Sequence, residues 1–152
     1  MSPYLQFSWF FNYWTDVVFM KILYVDGGCS GNHLKDKKDT KMVSVVSDEQ
    51  NNILSEEKND GGSNNIAELI AVRNAISYCF KEGFLDVEIR TDSRNNFAWI
   101  YGRVGKKLVD RDRVFEIKKE IAYLIKRVKL KLVWIPREEN IAGHYIEEKY
   151  SL

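Results

Sequence analysis

The sequence is poor in cysteine and proline, with two of each among 152 residues. Cys29 and Cys79 fall on different predicted elements, so reduced thiols in a cytoplasmic protein are expected, and neither a disulfide framework nor a cysteine-based metal site. An excess of charge of one sign is also missing, because 23 basic residues stand against 22 acidic ones. Any affinity for nucleic acid must therefore come from a local surface and not from the net charge of +1.

Residues 1–19 contain no lysine or arginine and are crowded with aromatic side chains. A signal peptide needs a basic beginning and a small-residue cleavage site, and a membrane span needs about 20 consecutive apolar residues. The segment has neither, so no stable membrane insertion is expected. Because the pattern after Met20 is typical of a domain start, three interpretations stay open: an extension from an upstream start codon, a segment that docks on a surface or mediates association, or a peripheral membrane contact. The domain itself is assigned to residues 20–152, as a monomer.

The apolar periodicity predicts five strands and four helices in the order βββαβααβα. The predicted strands are 21–25, 42–47, 53–58, 85–91 and 129–135, and the predicted helices are 66–82, 95–101, 113–127 and 141–149. A turn-rich stretch at residues 47–52 joins the second and third strands, and the first three strands are predicted to form an antiparallel meander. The fourth strand follows a helix and is expected to lie parallel to the first. The fold class is therefore α/β, with helices against a five-stranded mixed sheet.

Four aromatic residues are predicted to pack in the core and not to contact a substrate. They are Trp99, Phe115, Tyr123 and Trp134. Their spacing along the predicted helices and the last strand is that of core residues, for which packing is commoner than base stacking.

Three acidic residues stand beside small residues at the ends of these predicted elements: Asp26, Glu68 and Asp92. Asp26 and Asp92 close the first and fourth strands, and Glu68 lies near the start of the first helix. This placement can bring the three carboxylates together around divalent cations. The two glycines after Asp26 are interpreted as a sharp turn of the chain beside a ligand.

Four motifs in this order carry a resemblance to a known family. DGGCSGN begins at Asp26, NNIAEL at Asn64, TDS at Thr91 and WIPREEN at Trp134. Each is weak alone, but together and on the expected elements they make residues 20–150 resemble a type 1 ribonuclease H domain. The resemblance implies a ribonuclease H-like fold. It also implies an endonuclease that cleaves the RNA strand of RNA/DNA hybrids with two divalent cations, Mg²⁺ or Mn²⁺.

The resemblance also assigns roles to the three acids. Asp26 would bridge the two cations, and Glu68 and Asp92 would complete the side of the leaving group. Hard oxygen ligands hold such ions; one ion turns water into a nucleophile, and the other stabilises the leaving 3′ oxygen.

The fourth metal ligand is where the sequence departs from the family. The family places an aspartate four residues after the asparagine that begins the last helix, and counting from Asn140 leads to His144. Histidine brings no negative charge and favours Mn²⁺ over Mg²⁺, so a preference for Mn²⁺ is expected. Glu147 and Glu148 lie on nearly the same helix face and are the alternative ligands. The bland interpretation of His144 is an exposed helix residue without a ligand role.

Contacts to the hybrid follow from the same resemblance and from the chemistry of the neighbours. The candidate residues are Cys29, Gly31, Asn32, Asn64, Asn65, Arg94, Lys106 and Lys107. Small polar groups suit a hybrid because its wide, shallow minor groove displays 2′-hydroxyls. The alternative for the asparagines is helix capping, and for the lysines a solvated surface.

Two rival functions stay open at this point. His144 and the weakly basic stretch after Asp92 favour a nucleic-acid-binding module that has lost catalytic strength. Integrase-like and resolvase-like chemistry would use the same carboxylate sheet. Cys29 and the asparagine pair speak against that second rival, since those reactions have no need to sense a 2′-hydroxyl.

Overall fold

The computed structural model describes residues 20–31 and 39–152. The strands are β1 (Lys21–Ser30), β2 (Lys41–Ser47), β3 (Ile53–Asp60), β4 (Asp86–Thr91) and β5 (Lys129–Trp134). The helices are α1 (Asn64–Glu82), α2 (Arg94–Tyr101), α3 (Arg111–Ile125) and α4 (Ile141–Tyr150), and a short 3-10 turn (Arg137–Glu139) precedes α4. The predicted order of strands and helices is confirmed. The predictions for residues 1–19 and for Asn32 lie outside the described residues.

The five strands form one mixed sheet in the order β3-β2-β1-β4-β5. The first three strands pair antiparallel, and β4 lies parallel to both β1 and β5, as predicted. Because parallel strands point the same way, β1, β4 and β5 all finish toward one edge of the sheet. Residues near the carboxyl ends of these strands therefore become neighbours despite their separation along the chain.

Strand β1 continues through Gly27 and Gly28, so the sharp turn predicted at these glycines is wrong. A Cβ atom at Gly27 would lie 2.3 Å from the backbone of Ala67 and Glu68, a distance that no side chain tolerates. The glycine is needed for the close approach of helix α1 to the strand. The chain turns later, at Gly31, where φ is +73°.

Helix α1 begins at Asn64, two residues before the predicted start, and ends at Glu82 as predicted. The Ser63 hydroxyl accepts a hydrogen bond from the backbone N–H of Ile66, and Gly83 ends the helix in the left-handed region at φ +81°. One apolar face of the helix is buried against β1 and α3. Because this face is anchored along its length, Glu68 in the second turn is held beside β1.

Helix α4 packs on the other face of the sheet, and Asn140 fixes its start. The fully buried Asn140 side chain donates a hydrogen bond to the Val25 carbonyl oxygen at 2.9 Å. Its Oδ1 atom accepts from the backbone N–H groups of Ala142 and Gly143. The first turn of α4 is thereby attached to the strand residue that precedes Asp26.

Two of the four aromatic residues predicted as core are largely exposed. Trp99 is 9% exposed and Phe115 is partly buried against the core, but Tyr123 is 57% and Trp134 is 42% exposed. The prediction is wrong for Trp134 because this residue ends β5, the edge strand of the sheet, and for Tyr123 because it faces solvent from α3.

In the part of the chain that the structure describes, no helix has the length and apolar character to cross a membrane.

Candidate active site

The carboxylates of Asp26, Glu68 and Asp92 converge at the edge of the sheet where β1 and β4 end. One oxygen from each carboxylate can be chosen so that all three lie within 4.8 Å of one another. Asp26 comes from β1, Glu68 from α1, and Asp92 follows directly after β4. The parallel pairing of β1 with β4 and the close approach of α1 at Gly27 account for this convergence.

The environment of this cluster opposes negative charge. Burial, followed by repulsion from Asp92 and Glu68, raises the pKa of Asp26 to about 8. Burial also raises the pKa of Glu68 to about 7, with repulsion from Asp92 adding to it and a hydrogen bond from Ser93 opposing it. At neutral pH the cluster therefore retains protons unless another positive charge replaces them.

Two of the carboxylate oxygens have no hydrogen-bond partner. They are Oδ1 of Asp26 and Oδ2 of Asp92, and both are buried. A buried polar atom without a partner is costly, and such an atom in a native structure calls for a bound ion or water. Three hard oxygen donors this close together fit Mg²⁺ or Mn²⁺, which bind through carboxylates and retain water ligands.

Arg137 supplies the nearest positive charge, and the sequence reasoning did not assign it a role. Its guanidinium Nη1 atom lies 3.8 Å from Oδ2 of Asp92, and its Nη2 and Nε atoms lie 2.8 and 2.9 Å from Oε1 of Glu147. Glu147 thus holds the guanidinium beside the cluster. A signal was present in the sequence, because Arg137 directly follows Pro136 where the chain leaves the strand next to Asp92.

His144 is exposed in the first turn of α4 and lies outside the carboxylate cluster as the described residues define it. The residue before it, Gly143, faces the cluster: a Cβ atom there would lie 3.1 Å from Oδ2 of Asp26. Of the two alternative ligands, Glu147 is engaged with Arg137, and Glu148 is exposed. Helix α4 thus touches the cluster through its backbone, with His144 one residue further along.

A cavity of about 210 Å³ opens over the carboxylates on the side of β1 and α1. Cys29 and Asn64 line it together with Asp26 and Glu68. Cys29 is buried and Asn64 is exposed at the start of α1, so the walls combine a thiol with an amide. A nucleic-acid strand that enters the cavity would therefore contact Cys29 and Asn64.

The other candidate contacts lie farther from the cavity walls. Asn65 accepts a hydrogen bond from the side chain of Asn95 at 3.0 Å, which links the starts of α1 and α2. Gly31 occupies the turn after β1.

Arg94 begins α2, two residues after Asp92. Lys106 and Lys107 are exposed in the loop between α2 and α3, and no ion pair ties either lysine to the described acidic residues.

A family model described as RNase H matches residues 20–144 of this chain. None of the curated proteins matches the sequence. Among solved structures, LC11-RNase H1, isolated from compost by a metagenomic approach, is similar with 30% identity and a TM-score of 0.60, over 84% of this chain and 91% of that chain.

Two further structures resemble the chain. LC11-RNase H1 in complex with an RNA/DNA hybrid matches with 30% identity and a TM-score of 0.55, over 78% of this chain and 87% of that one. The RNase H1 of the halophilic archaeon Halobacterium salinarum shares the fold, with 20% identity and a TM-score of 0.61, over 84% of this chain and 93% of that one.

Proposed function

Because this chain belongs to the RNase H family, we propose that it is an endonuclease that hydrolyses the RNA strand of RNA/DNA hybrids with two divalent cations. The observation that carries the proposal is the convergence of three carboxylates within 4.8 Å, two of them with buried oxygens that accept no hydrogen bond. A solved relative, LC11-RNase H1, is recorded in complex with such a hybrid, and this supports the substrate class.

In this proposal Asp26, Glu68 and Asp92 hold the cations by their carboxylate oxygens. When bound, the cations supply an activated water and stabilisation of the leaving 3′ oxygen. The chain provides the rest: Gly27 allows Glu68 to approach β1, and Asn140 fixes α4 beside Asp26. Release of the protons held at neutral pH lets the cluster accept the cations.

Arg137 is suited to orient the substrate at the edge of this cluster. Its guanidinium is fixed by Glu147 and lies near Asp92, so it places positive charge where a substrate phosphate would approach the carboxylates. A fixed guanidinium binds phosphate in a defined geometry. The charge would also offset repulsion between the phosphate and the acids.

We propose His144 as the fourth ligand, with a resulting preference for Mn²⁺. Gly143, the preceding residue, abuts Asp26, which supports His144 as the side chain of this helix turn that would reach the cations. Imidazole is a better ligand for Mn²⁺ than for Mg²⁺. His144→Asp is expected to raise Mg²⁺-supported cleavage about tenfold relative to Mn²⁺-supported cleavage. An unchanged metal ratio in this variant would remove His144 from the ligand set.

Recognition of the hybrid is assigned to the polar groups at the cavity. Cys29 and Asn64 line it, and Gly31 and Asn65 lie on the adjoining turn and helix start. Side chains of this size reach ribose hydroxyls at short range. Asn32 joins them by resemblance alone, since it lies outside the described residues.

Lys106 and Lys107 are proposed as more distant phosphate contacts, because they are exposed on the loop after α2. All three carboxylates come from one chain, which supports action as a monomer in the cytoplasm. Both cysteines are free and buried, in keeping with a reducing compartment.

The test is cleavage of an end-labelled RNA/DNA hybrid by the purified protein, with Mg²⁺ and with Mn²⁺. Only the RNA strand should be cut, and duplex DNA and duplex RNA should stay intact. Loss of hybrid cleavage with both metals would reject the nuclease. Cutting of duplex DNA would instead favour an integrase-like chemistry.

A second candidate function is a hybrid-binding module with weakened catalysis. The exposure of His144 outside the carboxylate cluster favours it, because the family's fourth acid is missing from that helix turn. This candidate predicts tight hybrid binding without cleavage in either metal. It also predicts that His144→Asp alone restores cleavage with Mg²⁺.

A further inference from the structure

The Trp134 side chain is held beside the carboxylate cluster but remains 42% exposed. Its ring N–H donates a hydrogen bond to the backbone carbonyl oxygen of Asp92 at 3.2 Å. Trp134 is paired with Thr91, the residue before Asp92, in the parallel pairing of β4 and β5. A large aromatic surface therefore stays in contact with solvent next to a residue of the site, and Trp134 lies outside the residues that line the cavity.

Arg94 covers part of this ring and lacks an acidic partner. Its guanidinium lies 4.8 Å from the centroid of the Trp134 ring. No carboxylate among residues 20–31 and 39–152 forms an ion pair with it, whereas Arg137 on the same edge is paired with Glu147 and Asp92. Stacking on an aromatic ring orients a guanidinium without neutralising it. The charge of Arg94 is thus free to meet an anion.

Trp134 and Arg94 extend the surface that a nucleic-acid strand would contact as it crosses the carboxylate cluster. Cys29 and Asn64 lie on the β1 side of the carboxylates, and the stacked pair lies on the β5 side. A nucleic-acid strand that places one phosphate at the carboxylates continues to a ribose and then to the next phosphate. In a hybrid duplex the bases are stacked on each other, so an exposed ring at this edge meets the sugar and not a base face.

We propose that Trp134 and Arg94 form a binding platform for the RNA strand next to the cleaved phosphate. The indole packs against a ribose, and the Arg94 guanidinium binds the neighbouring phosphate. The inference rests on the proposed function, whose substrate it makes specific. It assigns a substrate contact to Trp134 and gives Arg94 a defined target, the phosphate.

A purely structural role for Trp134 predicts different results. If the indole only positions Asp92, loss of its N–H lowers kcat and leaves hybrid affinity unchanged. Trp134→Phe removes the hydrogen bond but keeps an aromatic ring, and Trp134→Leu removes both. The platform predicts that Trp134→Phe retains most of the affinity and that Trp134→Leu does not.

The chain offers a matched control on helix α3. The Arg127 guanidinium lies 3.4 Å from the centroid of the Tyr123 ring, which is 57% exposed. Tyr123→Leu and Arg127→Gln therefore make the same chemical changes in an exposed arginine–aromatic pair away from the carboxylates. These variants should bind the hybrid as the parent does.

The experiment measures hybrid affinity by fluorescence anisotropy in the Asp26→Asn background, where binding is seen without cleavage. Trp134→Leu is expected to weaken binding about tenfold, because the apolar contact of the indole with the ribose is lost. Arg94→Gln is expected to lower the slope of log Kd against log salt by about 1, as for one lost phosphate contact. Binding of the hybrid should quench tryptophan emission in the parent, and Trp134→Phe should remove that quenching. Circular dichroism checks that each variant is folded. If Trp134→Leu does not fold, Arg94→Gln still tests the platform.

The two proposals fail in different ways. If the wild type cleaves the hybrid but Trp134→Leu and Arg94→Gln bind as tightly as the α3 controls, the platform is rejected and the nuclease stands. An unchanged quenching signal in Trp134→Phe also rejects the platform. If the Asp26→Asn parent does not bind the hybrid and the wild type does not cleave it, both proposals are rejected.

Discussion

Asp26 and Glu56 occupy one row of the sheet, on either side of Val45, yet they meet opposite environments. Helix α4 passes both. At Asp26 it presents Gly143, and burial together with the neighbouring acids raises the pKa of Asp26 to about 8.

At Glu56 the same helix presents two tyrosine hydroxyls and a lysine, from Tyr145, Tyr150 and Lys149. Burial opposes ionisation of Glu56, but these hydrogen bonds outweigh it and lower its pKa to about 2.

The difference shows how one sheet and one helix hold two kinds of acid, the proposed metal-binding Asp26 and the structural Glu56. Glu56 has its partners within the protein, so its charge holds α4 on β3. Asp26 has an oxygen without a hydrogen-bond partner, so its charge destabilises the fold, and the proposed cation would relieve this. Asp26 thus lowers the stability of the fold, and Glu56, two strands away, adds to it.

The largest expected effect comes from removing the charge of Asp26. Asp26→Asn keeps the size of the side chain but removes a negative ligand, so hybrid cleavage should fall by at least about 10³-fold. Glu56→Gln is the matched control and should cleave at close to the wild-type rate at a temperature where it is folded. Initial rates on a labelled hybrid measure both. Comparable losses in the two variants would erase the distinction between the proposed metal-binding acid and the structural acid.

Divalent cations should stabilise the protein through the unpaired acids. At a concentration of Mn²⁺ about 100 times its dissociation constant, the free energy of unfolding should rise by about 2.7 kcal/mol. Thermal unfolding followed by circular dichroism measures the shift. Glu56→Gln should show the wild-type increase and Asp26→Asn little of it. A full increase in Asp26→Asn would place the cation elsewhere.

The stability of Asp26→Asn should exceed that of the wild type at alkaline pH. A carboxyl group whose pKa is raised on folding, here to about 8 from 3.8, lowers stability as pH rises through that interval. Without added metal, the variant should nearly match the wild type near pH 4 and gain on it by up to about 1.4 kcal/mol for each pH unit between pH 4 and pH 8. Urea unfolding at both pH values checks the sign, which would be reversed if Asp26 had a stabilising partner.

The smallest effect is expected at Glu56, with the opposite sign. Its pKa is lowered on folding from 4.5 to about 2, so its contribution is complete above pH 4.5 and is lost as pH falls toward 2. Glu56→Gln should therefore destabilise the protein by about 1–2 kcal/mol at pH 6 and hardly at all near pH 2. Urea unfolding of Lys149→Met should show part of this loss. A difference that persists at pH 2 would mean that packing, and not charge, holds the helix.

The sequence predicts the elements of the site because each is marked locally. Ser63 and Gly83 cap helix α1, the apolar periods mark the strands, and Asp92 directly follows one of them. A helix between the first and fourth strands implies their parallel pairing, which brings their carboxyl ends together. Local signals therefore place Asp26 near Asp92 without coordinates.

Other features depend on distances that no local pattern encodes. Glu56 meets Tyr145 across 89 residues of sequence, and that contact requires both the register of β2 with β3 and the position of α4. The exposure of Trp134 depends on β5 being an edge strand. The sequence predicts a turn at Gly27 because it does not show that helix α1 packs closely against this glycine.

By itself the sequence determined the order of the elements, the three acids and the family, since these rest on periodicity, capping and short motifs. Only the tertiary structure decided which acid has hydrogen-bond partners for its oxygens and which has an oxygen without one. It also decided which aromatic ring is exposed to solvent and which arginine has no acidic partner among the described residues. The physical reason is that burial and pairing are properties of neighbours brought together by packing, and pKa values follow from those neighbours.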